Sequence, residues 1–149
     1  MVVLLLYAQR RSIMAVPLEK LDKVRQRLGE ALAILPRTSQ EYRWFATLSI
    51  TAGCCEELLY RGFLIWYLNH WCPPIFSLTL SCTVFGLAHY YQGLSGILKT
   101  GIVGLLMGIV YLVTESLLWP VIAHVLIDLG AGWASSALLR GEESQAIEK

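Results

Sequence analysis

Of 149 residues, 56% are hydrophobic and only 15% charged, and the mean hydropathy is +0.55, a balance that points to a bilayer and away from water-soluble domains. A net charge of +1, with no basic stripe interleaved with aromatics, excludes nucleic acid as a partner. Cys54, Cys55, Cys72 and Cys82 show no C-x-x-C spacing, so they read as small packing residues and not as a metal or disulfide framework.

The charges are segregated along the chain. Arg10, Arg11, Lys20, Lys23, Arg25, Arg27, Arg37 and Arg43 are eight of the twelve basic residues, whereas Trp44 to Leu139 carries only Glu56, Glu57, Arg61, Lys99, Glu115 and Asp128. Met1 to Ala8 is apolar but far short of the ~20 residues of a spanning helix, which suggests the stub of a truncated one. It does not read as a signal peptide, because Arg10 and Arg11 follow the apolar stretch instead of preceding it. Between Pro17 and Pro36, Leu18, Leu21, Val24, Leu28, Leu32 and Leu35 recur at helical spacing with basic residues between them. That pattern predicts an amphipathic helix on a membrane surface, with a soluble connector helix as the alternative.

Four crossings are then expected, near Trp44 to Trp71, Ile75 to Tyr91, Gly96 to Thr114 and Leu117 to Leu139. Cys72-Pro73-Pro74, Gln92-Gly93 and Thr114-Glu115-Ser116 separate them. The expected fold is therefore all-α, a multi-pass transmembrane bundle. It divides into a basic interfacial segment (residues 1–43), an intramembrane core (44–139) and a polar tail (140–149). The basic segment places the N-terminal region in the cytoplasm, and four crossings return the tail to that side. Lys99 and Glu115 read as snorkelling charges at helix ends, and Gly104-x-x-x-Gly108 as a small-residue packing pair.

Chemistry concentrates in Cys55-Glu56-Glu57-Leu58-Leu59-Tyr60-Arg61, three charges inside an otherwise apolar run. Each central charge costs ~2.5 to 3.5 kcal/mol on insertion scales, so something must compensate them. Glu57 and Arg61 stand at i and i+4 with the acid first, the order that favours an intrahelical ion pair. Glu56 points ~100° away around the helix and is left without that partner, as suits a general base in a low-dielectric site. Phe85-x-x-x-His89 on the second crossing and His124-x-x-x-Asp128 on the fourth each share one helix face. Three helices thus offer polar faces to one interior.

Two mechanisms use these groups. Glu56 and His89 polarise a water that attacks a peptide carbonyl, while His124 and Asp128 stabilise the oxyanion or orient its donor. Alternatively, Glu56, His89 and His124 hold a Zn²⁺ that acidifies its water, with Asp128 as ligand or orienter. The H-E-x-x-H signature is absent. Intramembrane Glu, His and Asp also mark proton or ion relays, although no inverted repeat is visible. A catalytically inactive immunity or scaffold protein is the other alternative.

Glu-Glu-x-x-x-Arg, Phe-x-x-x-His and His-x-x-x-Asp, in this order, resemble the CPBP family of CAAX-processing and bacteriocin-processing (Abi) intramembrane peptidases. The run Tyr111 to His124 is also like that family. The resemblance implies a helical membrane fold and peptide-bond hydrolysis of a membrane-associated or prenylated substrate. It implies a site at Glu56, Glu57, Arg61, His89, His124 and Asp128, with Phe85 beside it. Members are described as metalloproteases, and a metal-free, glutamate-activated water has also been proposed. Asp128 stands where Asn is common in the family, and an ionised Asp cannot donate to an oxyanion.

Overall fold

The computed structural model describes residues 33–147, and the segments Met1 to Ala8 and most of the Pro17 to Pro36 helix lie outside them. The described chain is all-helical: α1 (Ser39–Glu57), a π-helical segment (Leu58–Leu64), α2 (Ile65–Leu68), α3 (Pro74–Ala88), α4 (Gly93–Thr114) and α5 (Leu118–Ile147). Tyr90–Thr114 and Leu118–Ser136 are long and apolar enough to cross a membrane, and Pro74–Ala88 is a shorter apolar helix.

Local chemistry sets the boundaries. The Glu41 amide donates to Thr38 Oγ1 (3.1 Å), and Glu41 Oε2 accepts from the Arg37 and Thr38 amides (2.7 and 3.4 Å). This capping box starts α1 at Ser39, five residues before the apolar stretch begins at Trp44. Those donors hold the Glu41 carboxyl below its ordinary 4.5. Helical backbone then continues without a break through α2. In its π-helical part the Ile65 amide reaches back to the Tyr60 carbonyl, which also accepts from Ser81 Oγ of α3 at 2.8 Å.

α2 ends at Leu68, three residues short of the expected Trp71, in a turn over residues 69–72, and Pro73 and Pro74 then start α3, where a missing N–H costs nothing. α3 ends at Ala88, three residues short of the expected Tyr91, because a 3₁₀ turn at Tyr90–Gln92 intervenes. α4 accordingly begins at Gly93, whose φ of 73° suits glycine. Glu115 ends α4 in the left-handed region, donating its amide to the Tyr111 carbonyl. Ser116 Oγ then accepts the Leu118 amide at 3.2 Å. α5 runs past the expected Leu139 to Ile147. Residues 140–147 change from apolar to polar but contain no proline, and polarity ends a span without ending a helix.

Two compact units divide at Ala46/Thr47 and Asp128/Leu129. In the described part of the first, Tyr42 Oη donates to the Leu129 carbonyl at 3.1 Å and the Phe45 ring packs on Gly132. The second, Thr47–Asp128, is packed with its small residues inward. α3 buries Ser77, Leu78, Ser81, Cys82, Phe85 and Gly86, one helical face, while Ile75, Phe76, Leu80 and Leu87 are exposed. α4 likewise buries Gly96, Gly104, Met107 and Gly108 and exposes Leu98, Ile102, Leu106 and Val113. In water so many large apolar side chains outside would be untenable; against lipid they are the expected surface.

Glycine sets how closely α3 and α4 approach. A Cβ on Gly86 would lie 2.9 Å from the Ile97 carbonyl oxygen and 3.1 Å from Gly101 Cα, both backbone atoms that cannot turn aside. Gly86→Ala should therefore force the helices apart and cost about 1–3 kcal/mol. Gly130→Ala meets open space on α5 and should leave stability unchanged or raise it by up to about 1 kcal/mol. Thermal unfolding in detergent, followed by circular dichroism, separates the two; equal melting of both variants would contradict the close crossing.

Candidate active site

All the polar residues singled out in the spanning region, Lys99 and Glu115 apart, meet inside the Thr47–Asp128 unit. Lys99 and Glu115 are both exposed, Glu115 at the C-terminal end of α4 as expected, whereas Lys99 falls in the second turn of α4 because that helix begins at Gly93 and not at Gly96. Glu56 and Glu57 end α1, Arg61 lies on the π-helical segment, Phe85 and His89 end α3, and His124 and Asp128 lie on α5.

Glu57 is the innermost of them, with no solvent exposure, and Arg61 is 1% exposed. Arg61 Nη1 donates to Glu57 Oε1 at 2.9 Å, the ion pair expected from their spacing. The pair is not closed on itself, however. Arg61 Nη2 donates to the Gly104 carbonyl of α4 at 2.9 Å, and the guanidinium lies 4.4 Å from the Phe85 ring centroid, where ring quadrupole and cation attract. Glu57 Oε1 accepts a second bond from His124 Nδ1 at 2.8 Å.

That bond fixes a proton. A carboxylate only accepts, so His124 carries hydrogen on Nδ1, and its neutral ring leaves Nε2 as a lone pair. His89 is held in the same way, with Nδ1 donating to the Phe85 carbonyl at 2.8 Å. Both Nε2 atoms turn toward Glu56 Oε2, 3.9 Å from His89 and 3.8 Å from His124. Asp128 Oδ2 is also 3.8 Å from His124 Nε2. These separations are too long for direct hydrogen bonds and suit a single bridging water. Glu56 Oε2 is buried and makes no hydrogen bond among the described residues, although the Glu56 side chain as a whole is 32% exposed. Adjacent helix positions diverge by ~100°, so one Glu is locked in the interior while the next reaches a partly open site.

Phe85 ties the rings together, edge-on to Tyr60, His89 and His124 with centroids 5.0, 4.9 and 6.0 Å away. Gly104, Tyr60 and Ser81 are the members that sequence reasoning missed. Gly104 reads in the sequence as packing alone, yet it also supplies the carbonyl that anchors Arg61. A Cβ there would stand 3.1 Å from Arg61 Nη2 and 2.8 Å from Phe85 Cδ1. Only an unexplained small residue opposite a buried arginine could have hinted at this.

Glu56, His89 and His124, the set expected to hold zinc in one of the two schemes, are spaced slightly wider than the ligands of a bound zinc. Two ligands of one tetrahedral zinc lie about 3.3 Å apart, less than the 3.8 and 3.9 Å found here. No three His, Cys, Asp or Glu converge as a metal-binding group among the described residues. The four cysteines are free, and Cys82 is the buried one.

Residues 38–130, well over half the chain, match the family model described as Type II CAAX prenyl endopeptidase Rce1-like. The chain belongs to this Rce1-like endopeptidase family. The matched region contains every residue of the cluster, from Glu56 to Asp128. Comparison with curated proteins and with solved structures finds no further match. Family membership makes the chain a peptidase-family protein whose helices include two of membrane-crossing length.

Because Arg61 compensates Glu57, Arg61→Leu should leave a buried carboxylate uncompensated and cost about 3–5 kcal/mol. Arg61→Lys keeps the charge but lacks the planar fork that reaches both Glu57 and Gly104, so its loss should fall between wild type and Arg61→Leu. Thermal melts in detergent give the order; a lysine variant as stable as wild type would contradict the two-armed anchoring.

Proposed function

We propose that this chain is an intramembrane endopeptidase that hydrolyses a peptide bond of a membrane-associated or prenylated substrate with a water activated by Glu56. The observation that carries the proposal is the buried, unbonded Glu56 Oε2 facing the Nε2 lone pairs of His89 and His124 at 3.9 and 3.8 Å. Membership of a prenyl endopeptidase family supports the reaction class.

In this scheme the water bridges Glu56 and His89. Glu56 takes its proton as oxygen attacks the scissile carbonyl, then delivers that proton to the leaving amine. His124, neutral at rest with Nδ1–H on Glu57, takes up a proton from solvent at Nε2 when substrate binds, and as the imidazolium it donates Nε2–H to the developing oxyanion. Asp128, i+4 on the same helix, orients that ring and does not contact the oxyanion itself. No step runs through a metal.

The polypeptide lies in the bilayer with four crossings, the basic N-terminal region and the C-terminal tail on the cytoplasmic side. Its partners are the lipid and a peptide or protein substrate. The apolar outer faces of α3 and α4 support this placement. Residues 44–139 are the proposed protease core, flanked by the interfacial segment 1–43 and the tail 140–149.

Purified protein in detergent should cleave members of a panel of prenylated and membrane peptides. Glu56→Gln and His89→Ala should each lower kcat/KM by at least about 100-fold, the low end of what a positioned acid or base contributes. Protein stripped with a chelator should keep its rate. Equal cleavage by wild type and both variants would overturn the assignment, and loss on chelation restored by zinc would replace the metal-free scheme.

A further inference from the structure

Glu57 and Arg61 read in the sequence as an ion pair that compensates its own charge, and the scheme above gives neither of them a proton to carry. Their geometry says more. His124 Nδ1 donates to the same Glu57 oxygen that accepts from Arg61, at 2.8 and 2.9 Å, and Arg61 is pinned in turn to the Gly104 backbone at 2.9 Å. We infer that Glu57 is a positioning residue: through a Gly104–Arg61–Glu57 chain anchored on α4, it sets the His124 tautomer and aims His124 Nε2 at the site. The inference rests on the endopeptidase reading for its kinetic consequence, but not for its structural one.

Three features support a role beyond charge compensation. An ion pair kept only to neutralise itself has no need of a third helix, yet this one spans the π-helical segment, α4 and α5. The acceptor is a rigid one. Glu57 has no exposure, and its Oε1 is held by a guanidinium with both arms engaged and braced on the Phe85 ring, while its Oε2 is buried with no hydrogen bond among the described residues. Finally, the chain ends on the one histidine whose Nε2 faces both Glu56 and Asp128, at 3.8 Å each. Were His124 protonated on Nε2 and bare on Nδ1, a lone pair would face the Glu57 carboxylate, a repulsive contact in a water-poor interior.

Two double substitutions separate positioning from compensation. E57L/R61M and E57Q/R61M both replace the buried ion pair with uncharged side chains, an exchange that buried pairs tolerate well. They differ in whether an oxygen remains to accept His124 Nδ1–H. The chain has three histidines, His70, His89 and His124, so ¹⁵N-histidine labelling in micelles gives assignable tautomer signals.

Wild type should show His124 as the Nδ1–H tautomer, E57Q/R61M should retain it, and E57L/R61M should lose it. On a cleaved peptide, E57L/R61M should lose up to about 100-fold in kcat with KM within about twofold, as for loss of an outer-shell orienting group, and E57Q/R61M should regain most of the rate. If E57L/R61M keeps the Nδ1–H tautomer, or is as active as E57Q/R61M, Glu57 is only half of an ion pair. An Nε2–H tautomer in wild type overturns the inference with no variant at all. If no peptide is cleaved, the endopeptidase reading fails while the tautomer measurement still decides the positioning role.

Discussion

A carboxylate with no access to solvent, that of Glu57, is the constraint around which the Thr47–Asp128 unit is arranged. An isolated charge in such a place would cost several kcal/mol even after relaxation. Arg61 supplies the opposite charge, but a guanidinium brings five donors and its own desolvation, and these need partners too. The Gly104 carbonyl and the Phe85 face meet that need. Each compensation recruits another helix, so the buried charge draws α1, the π-helical segment, α3, α4 and α5 to one point.

Backbone approach makes this possible. Gly104 lacks the side chain that would strike Phe85, and Gly86 lets α3 and α4 touch through backbone atoms. With serines and glycines inside and leucines and isoleucines outside, van der Waals fit and polar bonds hold the helices together, as they must where lipid is as apolar as leucine. The π-helical segment belongs to the same solution. Its Tyr60 carbonyl accepts from both the Ile65 amide and Ser81 Oγ, a tie between the Glu57–Arg61 segment and α3. Departures of this kind are common where a helix carries function.

Much of the site was legible in the sequence, and the reasons are specific. Charges in an apolar run are expensive, so Glu56, Glu57, Arg61 and Asp128 stand out, and i, i+4 spacing identifies Glu57 with Arg61 and His124 with Asp128 as neighbours. Helix type and the proline and Glu115 breaks followed from backbone chemistry alone. What escaped were features without a residue code. The Gly104 carbonyl is an acceptor that every residue possesses, the π-helical segment is bonded to Ser81 twenty-one positions after Tyr60, and the second bond to Glu57 is a distance between helices. The early end of α3 turns on a 3₁₀ turn that hydropathy does not register, and the extension of α5 to Ile147 on helix propensity outlasting apolarity.

The coupling between Glu57 and His124 tests the central claim most directly. A double-mutant cycle of Glu57→Leu and His124→Leu, each of which removes the shared hydrogen bond, read from reversible unfolding in detergent, isolates their interaction from the other bonds of each residue. A shared buried hydrogen bond predicts a coupling of at least about 1 kcal/mol. Additivity within about 0.3 kcal/mol would mean that the two side chains do not meet, and the Glu57-centred site would fall with that result.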